Sequence, residues 1–215
     1  MEIIDSAVSD YLLAHSTSPD ELLRELAEET AAAFPDEAEM QVSHDEGQFL
    51  TMLTRLVGAR RAVEVGTFTG YSSICIARGM PADGHLLACD VSERWTSIAR
   101  RYWQRAGLAH RIELRIAPAI ETLRSLPAKP ALDLAFIDAD KVSYPLYYQE
   151  VVARLRSGGV LLLDNVLLRG RVVDAAFQRE PYLTMRRLND AVAGDDRVES
   201  VMLPLRDGVT VVRKR

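Results

Sequence analysis

Residues 61–90, RAVEVGTFTGYSSICIARGMPADGHLLACD, run from one short apolar segment through a glycine-bearing turn and a helical stretch into a second apolar segment. The texture repeats downstream. AVEVG, HLLACD, RIELRIA, LDLAFID and VLLLDN follow one another, and each but the last precedes a stretch patterned as a helix. Strand, helix, strand repetition predicts a parallel sheet. The runs are apolar at nearly every position instead of alternating, as strands are when helices cover both faces of the sheet. A doubly wound α/β fold is therefore expected. The ending breaks the rhythm: VESVMLPL and VTVVRKR are separated only by a short turn centred on Asp207 and Gly208, which predicts an antiparallel hairpin and a mixed, seven-stranded sheet.

Upstream of this core the patterns are helical. Ile3, Ile4, Ala7, Val8, Tyr11 and Leu12 recur at helical spacing and give a short helix one apolar face, which must pack on something. A second helix is predicted from Ser18, with Pro19 in its first position and Glu21 completing a Ser-x-x-Glu capping box, through Leu22, Leu23 and Leu26 to a stop at Pro35. Ser43 and Glu46 repeat the device for a third, which carries Phe49, Leu50, Leu53 and Leu56 and ends at Gly58. Residues 1–58 thus read as an N-terminal helical layer, accessory or a dimer face, and 59–215 as the α/β core of one domain.

Composition agrees with one soluble domain: 215 residues, 48% hydrophobic and 27% charged, with only 12 Gly and 9 Pro. With 26 Lys and Arg against 31 Asp and Glu the net charge is −5, which offers no footprint for a phosphate backbone, so nucleic acid is not the expected partner. The N-terminus carries acids where a secretory signal carries bases, and no apolar run approaches the ~18 residues of a membrane span. A cytoplasmic protein with no membrane partner is predicted. Cys75 and Cys89 lack metal-ligand spacing and read as small buried hydrophobes, and Arg213, Lys214 and Arg215 read as a solvated tail.

In open α/β sheets ligands lie beyond the carboxyl ends of the strands. The first strand end gives EVGTFTGYSS, where Gly66 and Gly70 flank a turn into a helix, either a ligand loop at a helix N-terminus or a structural tight turn. It is not GxGxxG, so hydride transfer loses its best support. The second strand ends in Asp90, placed either to accept ribose hydroxyls or to cap the next helix. The third leads to Ala117 and Ala119, small enough for an adenine ring to lie against the backbone. Two further strands end in Asp138, Asp140 and Lys141, and in Asp164 and Asn165. Neighbouring strands lie ~4.8 Å apart, so these ends can converge. Two carboxylates and an amide oxygen are a hard-oxygen set suited to Mg²⁺ or a related divalent ion, and leave about three positions for substrate and water. Taken singly, Asp138 reads as a helix cap, Asp164 and Asn165 as an Asx turn, and Lys141 as a salt-bridge partner.

As a set, VSHDEGQFL, EVGTFTGYSS, FIDADK with Tyr144 and Tyr147 after it, LLLDNVLLRGRV, RLND and LPLRDGVTV resemble, in order and spacing, the cation-dependent class I O-methyltransferases of the caffeoyl-CoA and catechol type. The resemblance runs from about Met40 to the C-terminus. It implies S-adenosylmethionine as methyl donor, with Met40, Val42, Glu64, Gly66, Ser72, Asp90, Ala119, Asp138 and Tyr147 at donor-binding positions. It implies a divalent cation, Mg²⁺ ahead of Mn²⁺ or Ca²⁺, on Asp138, Asp164 and Asn165, and Lys141 at the position of the family's general base, with Asp138 beside it in catalysis. The acceptor implied is a small vicinal dihydroxy aromatic, with a hydroxyuridine of tRNA as the alternative within the same family, and the family habit is a homodimer. A donor-binding protein without turnover is the reading from another class, and the complete acid, Asn and Lys set argues against it. DNVLLRG stands where members often show DNxLWxG, so Leu168 replaces an aromatic wall of the acceptor site. The short stretch from Gly170 to Tyr182 resembles bacterial members, and no coenzyme A ester is expected. Arg169, Arg171 and Phe177 are candidate acceptor contacts.

Overall fold

The computed structural model describes residues 4–215, so Ile3 of the first predicted helix lies outside the described residues. The core is a seven-stranded sheet in the order β3-β2-β1-β4-β5-β7-β6. Its strands are β1 (Arg61–Val65), β2 (His85–Asp90), β3 (Ile112–Ile116), β4 (Leu132–Ile137), β5 (Leu155–Leu163), β6 (Val198–Leu203) and β7 (Val209–Lys214). The first five are parallel, while β7 runs antiparallel to both β5 and β6, as the hairpin reading requires. Arg213 and Lys214 accordingly belong to the last strand rather than to a tail, and Arg213 pairs with Glu199 across the hairpin.

Among the described residues eight α-helices accompany the sheet: α1 (Ser6–Ala14), α2 (Glu21–Ala33), α3 (His44–Val57), α4 (Tyr71–Gly79), α5 (Glu93–Arg105), α6 (Ala119–Ser125), α7 (Tyr144–Arg154) and α8 (Glu180–Ala193). The period-two geometry of the central strands explains their unbroken apolar runs. Leu134 and Phe136 enter one buried cluster with residues of α2, α3, α4 and α5, whereas Ala135 and Ile137 enter another with residues of α6, α7 and α8. Both faces are covered. Among the described residues no helix is long and apolar enough to cross a membrane.

Helix α1 forms as expected and touches α3, while Val8, Tyr11 and Leu12 of its apolar face stay exposed and no residue of the helix is buried. In the N-terminal layer two capping expectations fail, each for a long-range reason. Helix α2 is capped by Asp20, whose carboxylate accepts from the Leu23 amide and pairs with Arg78 of α4, so the Ser18–Glu21 box does not form. Ser43 does precede α3, but its side chain makes no capping bond, and Glu46 turns inward and is buried. Burial of the α3 face decides where that side chain points.

The order of the sheet reverses between β1 and β4, and their ends approach closely there. A Cβ at Gly66 would stand 1.9 Å from the Asp138 carbonyl oxygen, and the residue sits at φ +92°. Gly58, at φ +64°, has nothing within 4 Å of that position. Gly58→Ala should therefore cost only the ~1–2 kcal/mol of a left-handed backbone, whereas Gly66→Ala should cost more than ~3 kcal/mol or prevent folding. Urea denaturation of the two variants checks this; equal costs would contradict the close approach.

Candidate active site

Four adjacent strands end level with one another. Val65 is paired with Cys89 and with Ile137, and Ile137 with Leu163, so the next rung carries Asp90, Gly66, Asp138 and Asp164. The ladder continues through that rung: the Gly66 amide donates to the Cys89 carbonyl at 2.9 Å, Asp138 to Val65 at 2.8 Å and Asp164 to Ile137 at 3.0 Å. A cavity of roughly 470 Å³ opens over this row, in the range of small-ligand sites.

On the β1 and β2 side the wall includes Met40, Val42, Gly66, Ser72, Asp90, Ala117 and Ala119. Asp90 is not a helix cap. Its Oδ2 accepts from the amides of Thr67 at 3.0 Å and Phe68 at 2.8 Å, and its Oδ1 from the Ser92 amide at 2.8 Å. The hydroxyl of Ser92 caps α5 instead. Asp90 thus holds the glycine loop in place. Within that loop Phe68 has φ 51°, a conformation that costs a non-glycine residue about 1–3 kcal/mol. Packing offsets it, since the Phe68 ring meets Trp95 edge-on at 5.4 Å and Phe34 at 5.8 Å between centroids.

Glu64 is set back from the cavity. It is fully buried beneath the loop, where its Oε2 accepts from the hydroxyls of Ser73 and Thr67, and its Oε1 has no partner. Burial pushes its carboxyl up to about 7. The two cysteines are free and buried, and burial pushes both thiols up to about 12, which leaves them inert.

The other side of the cavity carries Asp138, Lys141, Tyr147, Asp164 and Asn165. Lys141 Nζ donates to Asp138 Oδ1 at 3.0 Å and to Tyr144 Oη at 2.6 Å. The buried Tyr144 hydroxyl in turn faces the carbonyls of Ile137 and Asp164, 3.0 Å from each, and so ties the ends of β4 and β5 together beneath the lysine. Asp164 is 1% exposed. Burial, then the charge of Asp138, push its carboxyl up to about 7, with Lys141 opposing. Its Oδ1 accepts from the Asn165 amide at 2.6 Å, and Asn165 holds a left-handed φ of 53°. Asp140 also lines the cavity, where it accepts from Tyr147 Oη at 2.8 Å and from the Ser143 amide at 3.1 Å.

Among the described residues no three His, Cys, Asp or Glu side chains converge as a ready-made metal group. The expected set has only two carboxylates plus the Asn165 amide. Its chemistry nevertheless fits a hard cation, because two carboxylates and an amide oxygen are hard donors, the charge of Asp138 adds to burial in holding the Asp164 carboxyl up, and Lys141 answers it only in part. The nearby acid Glu46 has no hydrogen-bond partner for either carboxyl oxygen, and burial followed by the charges of Asp164 and Asp138 holds it well above the usual carboxylate range.

Leu168, Arg169, Arg171 and Phe177 do not line the cavity. Arg169 pairs with Glu39, and Arg171 donates to Tyr182 Oη at 2.9 Å while lying over the Phe177 ring. Sequence reasoning missed Glu46, Tyr144 as the lysine's anchor, and Arg206, which lines the cavity and donates to the carbonyls of Gln41 and Glu39.

The profile of a family described as O-methyltransferase matches residues 13–215. The chain belongs to this family. It is an S-adenosylmethionine-dependent O-methyltransferase, of the group that includes the caffeoyl-CoA enzymes. It is 40% identical over 217 residues to caffeoyl-CoA O-methyltransferase 2 of Zea mays, covering 95% of this chain and 81% of that one. Among solved structures it resembles the O-methyltransferase from Bacillus cereus in complex with SAH, with TM-score 0.87, 32% identity and 97% of each chain covered. It also resembles TomG from Streptomyces achromogenes, in complex with SAM, with TM-score 0.86, 32% identity, and 97% and 96% covered.

A buried acid whose pKa is raised from 4.5 to about 7 favours the folded state below the lower value, and that contribution is lost as pH rises through the upper one. The chain should therefore lose thermal stability between about pH 5 and pH 8, and Glu64→Gln should shallow that decline by roughly one proton's slope. Melting curves across this range check it; parallel pH profiles for the two proteins would contradict the buried-acid account.

Proposed function

We propose that this enzyme transfers the methyl group of S-adenosylmethionine to one hydroxyl of a small vicinal dihydroxy aromatic in a reaction that depends on a divalent cation. The observation that carries the reading is the pair Asp138 and Asp164, on neighbouring strand ends with Lys141 beside them, at one end of a cavity whose other end is the Asp90-braced loop. Caffeoyl-CoA O-methyltransferases among the relatives support a phenolic acceptor. The net charge of −5 does not favour tRNA as the substrate.

Asp138, Asp164 and Asn165 would hold the cation. When bound, it supplies Lewis-acid help, lowering the pKa of a phenolic hydroxyl that starts near ~10 and orienting the two neighbouring oxygens. The chain's own residues do the rest. Asp90 keeps the loop from Gly66 to Gly70 in the shape that receives the donor's nucleoside, and Ala117 and Ala119 leave room for the base. Lys141 Nζ takes the hydroxyl proton, and Tyr144 fixes where that nitrogen stands. The acceptor oxygen then forms a bond to the methyl carbon as the carbon–sulfur bond breaks, leaving S-adenosylhomocysteine. Alignment of the two reactants supplies much of the rate.

Methyl transfer from labelled donor to a catechol panel should stop on addition of a chelator and return with Mg²⁺, and equal rates with and without chelator would contradict the reading. Asp138→Ala and Asp164→Ala should each lower turnover by at least ~100-fold, and for Asp164→Ala S-adenosylhomocysteine affinity by calorimetry should stay within a few fold. Asp90→Ala should weaken that affinity by at least ~10-fold, since three amides lose their acceptor; unchanged binding would remove Asp90 from the donor site.

A further inference from the structure

The first turn of α3 sends one acid side chain inward. Glu46 is 1% exposed, and neither carboxyl oxygen has a hydrogen-bond partner. A polar group buried that way is a net cost to the fold unless something partners it. Its surroundings add to the cost: Asp164 and Asp138 act on it with like charge, and the Arg206 guanidinium stands 4.0 Å away, donating instead to the carbonyls of Gln41 and Glu39. A capping role does not account for the residue, because the side chains at the start of α3 make no capping bond. The Glu46 and Asp164 carboxyls are close enough to act on one another, yet Glu46 makes no well-formed bond there.

We propose that Glu46 is an additional acid of the cation site, standing behind Asp164 and accepting hydrogen bonds from water on the bound ion, so that it sets the affinity for that ion. This rests on the cation-dependent reading above. Direct ligation is not the arrangement, since no three acids converge among the described residues. A magnesium-type ion sheds its water reluctantly and keeps several molecules, whose hydrogens point outward. A carboxyl group one layer beyond the protein ligands, with no hydrogen-bond partner of its own, is a matching acceptor. Arg206 connects the same acid to the donor side, because its other contacts hold the loop carrying Met40 and Val42.

Manganese binding to the full chain, stripped of metal and followed by the loss of the free-ion paramagnetic signal, tests this without any turnover. The wild type should bind Mn²⁺, Asp164→Asn should bind none measurably, and Glu46→Gln should bind at least ~10-fold more weakly, the usual range for an outer partner of a metal site. The metal-free Glu46→Gln protein should melt no lower than the wild type, since Glu46 makes no hydrogen bond that glutamine would lose. Unchanged Mn²⁺ affinity in folded Glu46→Gln overturns the role of Glu46 and leaves the cation-dependent reading standing. Absence of Mn²⁺ binding in the wild type overturns both. Should Glu46→Gln fail to fold, Glu46→Asp is read in its place: its shorter reach should weaken the ion, and an unchanged affinity overturns the proposal.

Discussion

One rung of the sheet organises the molecule. Beyond the last regular pairs of β2, β1, β4 and β5, the level row Asp90, Gly66, Asp138 and Asp164 spans four strands at ~4.8 Å spacing, and its backbone continues the parallel ladder. The side chains follow from that placement. Gly66 stands where β1 and β4 crowd together and no Cβ fits, so the wall is lowest at the reversal of the winding order. Acids on either side then divide the cavity into an end that orders backbone amides and an end that gathers charge.

The two ends are built on opposite electrostatic terms. Asp90 is satisfied by three amides, so it stabilises a loop containing the strained Phe68. Glu46 is left without a hydrogen-bond partner, and burial together with like charge pushes its carboxyl and that of Asp164 up. A fold tolerates such a conflict only if function requires it, because pairing or replacing those acids would stabilise the empty protein. Of the non-glycine residues at positive φ, Phe68, Asn165 and Arg206 all line the same cavity, which is where strain is expected to collect.

Much of this was legible in the sequence because each strand announces its own end. Apolar runs closing on Asp90, Asp138 and Asp164 are local patterns, and a doubly wound sheet needs little more than their alternation with helices. Glu46 was not legible, since S-x-x-E is also the signature of a capping box, and only the burial of α3 shows which way the side chain turns. Glu64, inside an apolar run, gave no hint that it sits beneath the loop rather than on the cavity wall. Arg206 reaches its carbonyl partners across most of the chain length, a separation no sequence pattern encodes. The apolar stripe of α1 was read correctly as a helix, but helical periodicity does not say what covers the stripe.

The claim that paired strand ends form a cation site facing the methyl donor is tested most directly by anomalous diffraction from crystals grown with Mn²⁺ and S-adenosylhomocysteine. The account predicts one strong peak within ligand distance of Asp138, Asp164 and Asn165, with the nucleoside over the loop that Asp90 holds. Well-ordered nucleoside with no peak between those two carboxylates, at saturating manganese, would contradict it.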